Sequence, residues 1–116
     1  MHFMKEVIFM NNKEINVILT KNINKNIILL FSFESGNLEL NLESNNSENI
    51  KQVFVRLASE LRLSPISLNY LIDYEKINPK DDELFIDAAN EYIFQLKNEL
   101  LLIENDFDLK TIRENE

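Results

Sequence analysis

The chain contains no cysteine and no tryptophan, and it has one histidine, one glycine and two prolines among its 116 residues. Without cysteine it has no disulfide, no thiolate zinc site and no cysteine nucleophile. The single histidine, His2, lies beside the first residue, which argues against Ser-His-Asp and histidine-based metal sites. One glycine does not make a glycine-rich phosphate loop. We therefore predict no catalytic residue, no cofactor and no metal, and a protein that is not an enzyme.

Carboxylates are the remaining side chains that suit catalysis, as an acid pair or around a magnesium ion. Acids in the first turn of a helix also stabilise it against its dipole, by a few tenths of a kcal/mol. We favour this structural role for the acids near the predicted helix starts. They are Asp73, Glu75, Asp81, Asp82 and Glu83.

Long hydrophobic runs are also missing, since none approaches the roughly 18–20 residues that cross a bilayer. The first ten residues carry Lys5 and Glu6 and no small-residue cleavage site, so they do not resemble a secretory signal. We predict a cytoplasmic protein that does not bind membranes. Translation could start at Met1 or at Met4.

The chain is rich in acidic residues, and its net charge of −8 is unevenly distributed. Residues 1–30 carry +2, residues 31–80 carry −2 and residues 81–116 carry −8. Such acidity is typical of a solvated surface that keeps a protein soluble. The alternative is an acidic face that mimics nucleic acid or binds a basic partner.

Asparagine and isoleucine are abundant, at 17 and 14 residues. AT-rich codons encode both, and lysine as well. This composition indicates a low-GC bacterium, or a phage or plasmid that lives in one.

Four short apolar runs open the chain, at 5–10, 14–20, 27–33 and 38–43, separated by polar turns. Short connections favour antiparallel pairing. The run at 27–33 (IILLFSF) is the most hydrophobic of the four and predicts a central strand buried on both faces. The last run alternates Leu38, Leu40 and Leu42 with polar residues. These features predict a meander of about four strands over residues 5–43.

From about residue 48 the apolar period becomes helical, with steps of three and four. The first predicted apolar stripe is Ile50, Val53, Phe54, Leu57, Ala58 and Leu61. The main stripe of the last predicted helix is Phe85, Ala88, Ala89, Tyr92, Leu96, Leu100, Ile103 and Phe107. Helices are predicted over 48–62, 65–74 and 81–105, followed by a frayed tail at 108–116. Ser64-Pro65 is a typical start signal for the second helix. Strands followed by helices predict a single α+β domain over 1–116, with two or three helices packed on the sheet.

One pattern in this helical region consists of Leu57, Ala58, Leu61, Leu63, Ser64, Leu68, Leu71, Asn78, Pro79 and Ala88. It resembles the helix-turn-helix of small phage-repressor-type proteins. The resemblance covers roughly a third of the chain and implies DNA binding by the helix after Ser64. Arg62 stands where the family's turn usually has glycine, and the helix at 65–74 lacks arginine.

RNA binding is a second alternative. Lys13, Lys21 and Lys25 lie in or beside predicted hairpin loops, on a half of the chain that is net positive. Basic loops on a small sheet suit an RNA backbone. Lysine is also an ordinary loop residue.

Phe94 and Leu101 lie seven residues apart on the last predicted helix, away from its main apolar stripe. Either they are core side chains, or they mark a dimer seam or a partner-binding face. The absence of catalytic residues favours a cytoplasmic binding or regulatory protein of the inhibitor type. We expect it to contact a protein partner, or a second copy, through this helix.

Overall fold

The structure, a computed structural model, describes residues 13–44 and 47–114, excepting the side chains of 104–114. In these residues it has four strands and two helices: β1 (Lys13–Lys21), β2 (Ile27–Phe33), β3 (Gly36–Asn41), α1 (Ser47–Leu63), β4 (Ile66–Ile72) and α2 (Glu83–Glu114). The predicted α+β class is confirmed. The predicted strand at 5–10 lies outside the described residues.

The four strands form one sheet in the order β3-β2-β1-β4. β1, β2 and β3 pair antiparallel through short turns, as predicted. In the first turn the Asn22 side-chain oxygen accepts hydrogen bonds from the backbone N–H groups of Asn24 and Asn26, both at 3.0 Å. In the second turn Gly36 has a φ of 135°, which side-chain-bearing residues rarely adopt. The turn therefore requires the chain's only glycine.

The fourth strand corrects the prediction. The segment predicted as a helix at 65–74 contains β4, which pairs parallel with β1. The sheet is therefore mixed, and the purely antiparallel meander and the third helix are wrong. Local signals at Ser64-Pro65 favoured a helix, but the backbone of β4 completes a hydrogen-bonded ladder with β1, and such long-range pairing overrides propensity.

Because this segment contains a strand, the predicted helix-turn-helix is wrong. The expected recognition helix is a strand of the sheet, so it does not have the geometry that enters a DNA major groove. α1 instead connects β3 at one edge of the sheet to β4 at the other. A helical crossover of this kind is the usual way to bring a strand parallel to an earlier one.

Both helices pack on one face of the sheet. Alternate residues of β1 (Ile15, Val17 and Leu19) point to this face and are buried with side chains of β2, α1 and α2. Leu68 and Tyr70 of β4 lie opposite Ile15 and Val17 and pack against the same cluster while remaining partly exposed. One apolar cluster therefore joins all six elements.

The helical stripes agree with the prediction at their centres and differ at their margins. Val53, Leu57 and Leu61 are buried on α1, whereas Ile50 is exposed. On α2 Ile93 is buried, although it was not assigned to the predicted stripe. α2 also continues to Glu114, past the predicted end at 105 and into the segment predicted to fray. Neither helix, within the described residues, has the length and hydropathy of a bilayer-crossing segment.

Tyr92 on α2 provides a prediction about alkaline pH. Its hydroxyl is buried with no hydrogen-bond partner among the described residues. Burial, with a smaller contribution from Glu99, raises the pKa of Tyr92 to about 12. In the unfolded chain the Tyr92 hydroxyl ionises near pH 10. Because its pKa is higher in the folded chain, the stability that depends on the neutral hydroxyl is intact below pH 10 and is lost as pH rises toward 12.

We expect Tyr92→Phe to leave the free energy of unfolding at pH 7 unchanged or to raise it by up to about 1 kcal/mol, because an unpaired hydroxyl is removed. Above pH 10 the variant should be the more stable protein, by up to about 2 kcal/mol. Urea titrations at pH 7 and pH 11 measure both differences. A variant with the same alkaline loss of stability as the parent would contradict this account.

Candidate interaction surface

β4 is an edge strand, and the direction of its backbone groups follows from two hydrogen bonds. The backbone N–H of Lys13 donates to the carbonyl of Pro65 at 2.9 Å, and the N–H of Asp73 donates to the carbonyl of Leu19 at 2.9 Å. Along a strand, successive residues direct their N–H and C=O groups to alternate sides. Odd-numbered residues of β4 therefore bond to β1, and even-numbered residues direct theirs outward. No described strand pairs with that outer side.

The side chains of β4 carry no charge. The strand reads ISLNYLI, and the uncharged stretch extends from Leu63 to Ile72. Natural edge strands usually carry charges or proline that discourage strand addition. β3, at the opposite edge of the sheet, is shorter and contains Glu39. Of the two edges, β4 is therefore the one suited to pairing.

Both ends of β4 are fixed by contacts within the chain. The hydroxyl of Thr20 donates to Oδ2 of Asp73 at 2.8 Å, directly after the strand. At the start, the backbone N–H of Lys13 holds the carbonyl of Pro65, as given above. The side chain of the same lysine is itself held, since its Nζ donates to Oε2 of Glu60 at 3.0 Å and lies 3.4 Å from Oε2 of Glu34. The hydrogen bond to Glu60 is the main cause of a raised pKa for Lys13. The outer edge is therefore held in an extended conformation before any partner arrives.

The exposed flank of α2 lies beside this edge. Phe94 is 66% exposed and Leu101 is 56% exposed. Seven residues make nearly two helical turns, so the two side chains share one flank. A groove of about 310 Å³ separates this flank from the start of β4; it is lined by Ile66, Ser67, Leu68, Lys97, Leu100 and Leu101. We call the outer edge of β4 together with Phe94, Leu101 and this groove the β4–α2 surface.

The predicted interaction residues on α2 thus lie at the surface and not in the core. That they bind a partner stays a prediction. β4 itself was missed, because its Leu68, Leu71 and Ile72 also fit a helical period. The signal that could have found it is the alternation of Ile66, Leu68, Tyr70 and Ile72 with Ser67 and Asn69.

The three lysines predicted to contact nucleic acid are not brought together as a free basic patch. Lys13 contacts Glu60 and Glu34, as described above, and Nζ of Lys21 lies 3.7 Å from Oδ2 of Asp82. Lys25 lies in the turn between β1 and β2 and has no acidic partner among the described residues. RNA binding through these loops stays a prediction, with one lysine of the three unpaired. The acidic-mimic alternative also stays a prediction.

Two of the acids considered for catalysis make structural contacts. Asp73 accepts from Thr20 and from the backbone N–H of Glu75. Asp82 accepts from the backbone N–H of Asn78 at 2.8 Å, directly before α2. Within the described ranges, no three His, Cys, Asp or Glu residues cluster in a way that would hold a metal ion.

Comparison with protein-family models, with curated proteins and with solved structures finds no match to this chain. Its own geometry carries the functional argument. An uncharged edge strand, fixed at both ends and flanked by two exposed apolar side chains, provides backbone hydrogen bonds and apolar area at one place. That combination suits binding of another polypeptide by strand addition.

Proposed function

We propose that the chain is a non-enzymatic cytoplasmic protein that acts by binding protein through the β4–α2 surface, as a regulator or inhibitor. One observation carries this proposal: the uncharged outer edge of β4, with which no described strand pairs, lies directly beside Leu101 and the groove. The chain's charge supports it, because a molecule of net charge −8 offers few surfaces free of acids.

Strand addition supplies the physical basis for affinity. Backbone hydrogen bonds along the edge provide binding that depends little on sequence, and pockets for alternate side chains provide specificity. The groove beside Ile66 and Leu68 is such a pocket. Phe94 adds an aromatic side chain, a residue type enriched in protein interfaces.

We expect a photo-crosslinking amino acid at position 94 to capture a protein in cells that express the chain at its natural level. The same amino acid at position 84 is the control, because Leu84 is on the same helix and is 82% exposed. Mass spectrometry of the adducts identifies what is bound. Capture at both positions, or at neither, would argue against the proposal.

A matched pair of variants tests the face of the helix. Leu101→Glu should reduce the adduct formed at position 94 at least about 10-fold, because a carboxylate would be desolvated in the interface. Leu102→Glu should leave it unchanged, since Leu102 is 66% exposed but lies about 100° further round the helix. At concentrations that keep the chain monomeric, both variants should unfold at the temperature of the parent. Equal adduct yields in the two variants would place the binding face elsewhere.

A further inference from the structure

We propose that the partner on the β4–α2 surface is a second copy of this chain, joined by antiparallel pairing of the two β4 strands about a two-fold axis at Asn69. This inference rests on the proposed function and names its partner. The pairing of the two β4 strands joins the two sheets into one continuous sheet across the dimer.

The backbone of β4 fits this register. Ile66, Leu68, Tyr70 and Ile72 direct their N–H and C=O groups outward, as the bonds at Pro65 and Asp73 require. With the axis at Asn69, Ile66 lies opposite Ile72 of the second copy, and Leu68 lies opposite Tyr70 of the second copy. These are hydrogen-bonded pairs of an antiparallel ladder, so the two strands close about eight inter-strand hydrogen bonds. A shift by one residue would place outward-directed groups opposite inward-directed ones.

The side chains are complementary to themselves in the same register. The facing pairs on the helix side are Ile66 with Ile72 and Leu68 with Tyr70, all apolar in their bodies. On the opposite face Ser67 meets Leu71. No pair places like charges together, because the strand has no charged residue. A two-fold interface requires this kind of self-complementary patch.

Asn69 sits on the axis. Its Nδ2 donates to Oδ1 of Asn16 at 3.0 Å, which uses one of the two amide hydrogens. Among the described residues, the second hydrogen and the carbonyl oxygen have no partner. Two Asn69 amides related by the axis form a non-hydrogen-bonded backbone pair, whose side chains approach closely, and each amide supplies what the other needs.

The same symmetry accounts for the exposed flank of α2. The two-fold axis of a continuous antiparallel sheet is perpendicular to it, so both α2 helices lie on the same face. Leu101 and its groove are at the β4 side of α2. The flanks that carry Phe94 and Leu101 therefore face each other across the junction of the two sheets. The apolar side chains left exposed in one chain are buried in the pair.

Charge favours this surface over any other for self-association. Two copies of net charge −8 repel one another, and the repulsion is weakest along β4, because residues 63–72 carry no charge. Salt screens the residual repulsion. We therefore expect the dissociation constant of the dimer to fall when sodium chloride is raised from about 50 to about 500 mM.

Analytical ultracentrifugation of the full chain tests the register through Asn69→Asp. The parent should sediment at twice the 13.7 kDa of one chain. At pH 7 Asn69→Asp should weaken the dimer about 100-fold, because two carboxylates meet on the axis. The dimer should return below about pH 4, where aspartate is protonated. Asn37→Asp is the matched control: it makes the same change on the same sheet face, but on β3, the opposite edge.

Hydrogen exchange of the parent protein tests the interface without a variant. The amides of Leu68, Tyr70 and Ile72 should become protected as protein concentration rises, while the outer amides of β3 should not. A parent that is monomeric at about 1 mM, equal effects of Asn69→Asp and Asn37→Asp, or unprotected β4 amides in a dimer would each overturn the inference.

Crosslinking at position 94 distinguishes failure of the dimer proposal from failure of the proposed function. An adduct with a second copy supports both proposals. An adduct with a different protein, together with a monomeric parent, overturns the dimer and leaves the proposed function standing.

Discussion

Replacing Phe31 with alanine is expected to lower the free energy of unfolding by about 3–5 kcal/mol. Phe31 is fully buried in the middle of β2, between Val17 of β1 and Leu38 of β3. Its ring stacks on that of Phe33, with centroids 6.3 Å apart. Truncation removes the transfer energy of the ring and leaves a cavity that two inner strands cannot close. Domains of this size are stable by only about 5–15 kcal/mol, so the loss is a large share.

Urea denaturation followed by circular dichroism measures this loss as a lower midpoint at unchanged slope. Phe94→Ala is the matched control, because the same side chain is removed from a position that is 66% exposed. At concentrations that keep the chain monomeric, the control should lie within about 0.5 kcal/mol of the parent. Similar losses at the two positions would mean that α2 is packed differently.

Replacing Asp82 with alanine is expected to cost about 2–3 kcal/mol. Asp82 is a buried charged residue directly before α2, and its carbonyl accepts the hydrogen bond of Ile86 N–H. Its carboxylate accepts from the N–H of Asn78 and lies 3.7 Å from Nζ of Lys21. Truncation leaves a backbone donor unpaired, and it frees a lysine at the end of β1. Because Lys21 is partly exposed, the ion pair is the smaller part of the loss.

The neighbouring acid is the control for Asp82. Asp81 has an exposed side chain, and the hydrogen bond at this residue is made by its backbone N–H. Asp81→Ala should therefore change the free energy of unfolding by less than about 0.5 kcal/mol. Asp82→Asn keeps an oxygen for Asn78 and should cost about half as much as alanine. If all three variants were equally stable, Asp82 would not anchor the start of α2.

The helices show which buried residues the apolar periodicity predicts and which it does not. Leu57 and Leu61 recur at helical spacing within α1, and Leu96 and Leu100 do so within α2, and all four are buried. The exact rotation of α2 was not predictable, because it depends on packing against the sheet and α1. As a result Ile93 is buried, while Ala88, which the pattern assigned to the core, is exposed.

The candidate surface was predictable only in part. Phe94 and Leu101 stand out in the sequence because they lie off the main stripe of a long helix. β4 does not stand out, because a short apolar segment fits both a helix and a strand. Only pairing with β1, over fifty residues earlier in the chain, decides between them.

The sequence by itself determined the α+β class, the three antiparallel strands within 13–41 and the two long amphipathic helices, because each depends on local periodicity and turn residues. The tertiary structure decided the parallel β4, the mixed sheet and the edge beside Leu101 with which no described strand pairs. These depend on hydrogen bonds between distant residues, which no local pattern encodes. A strand's edge is a property of the assembled sheet, and so is the surface proposed here for binding.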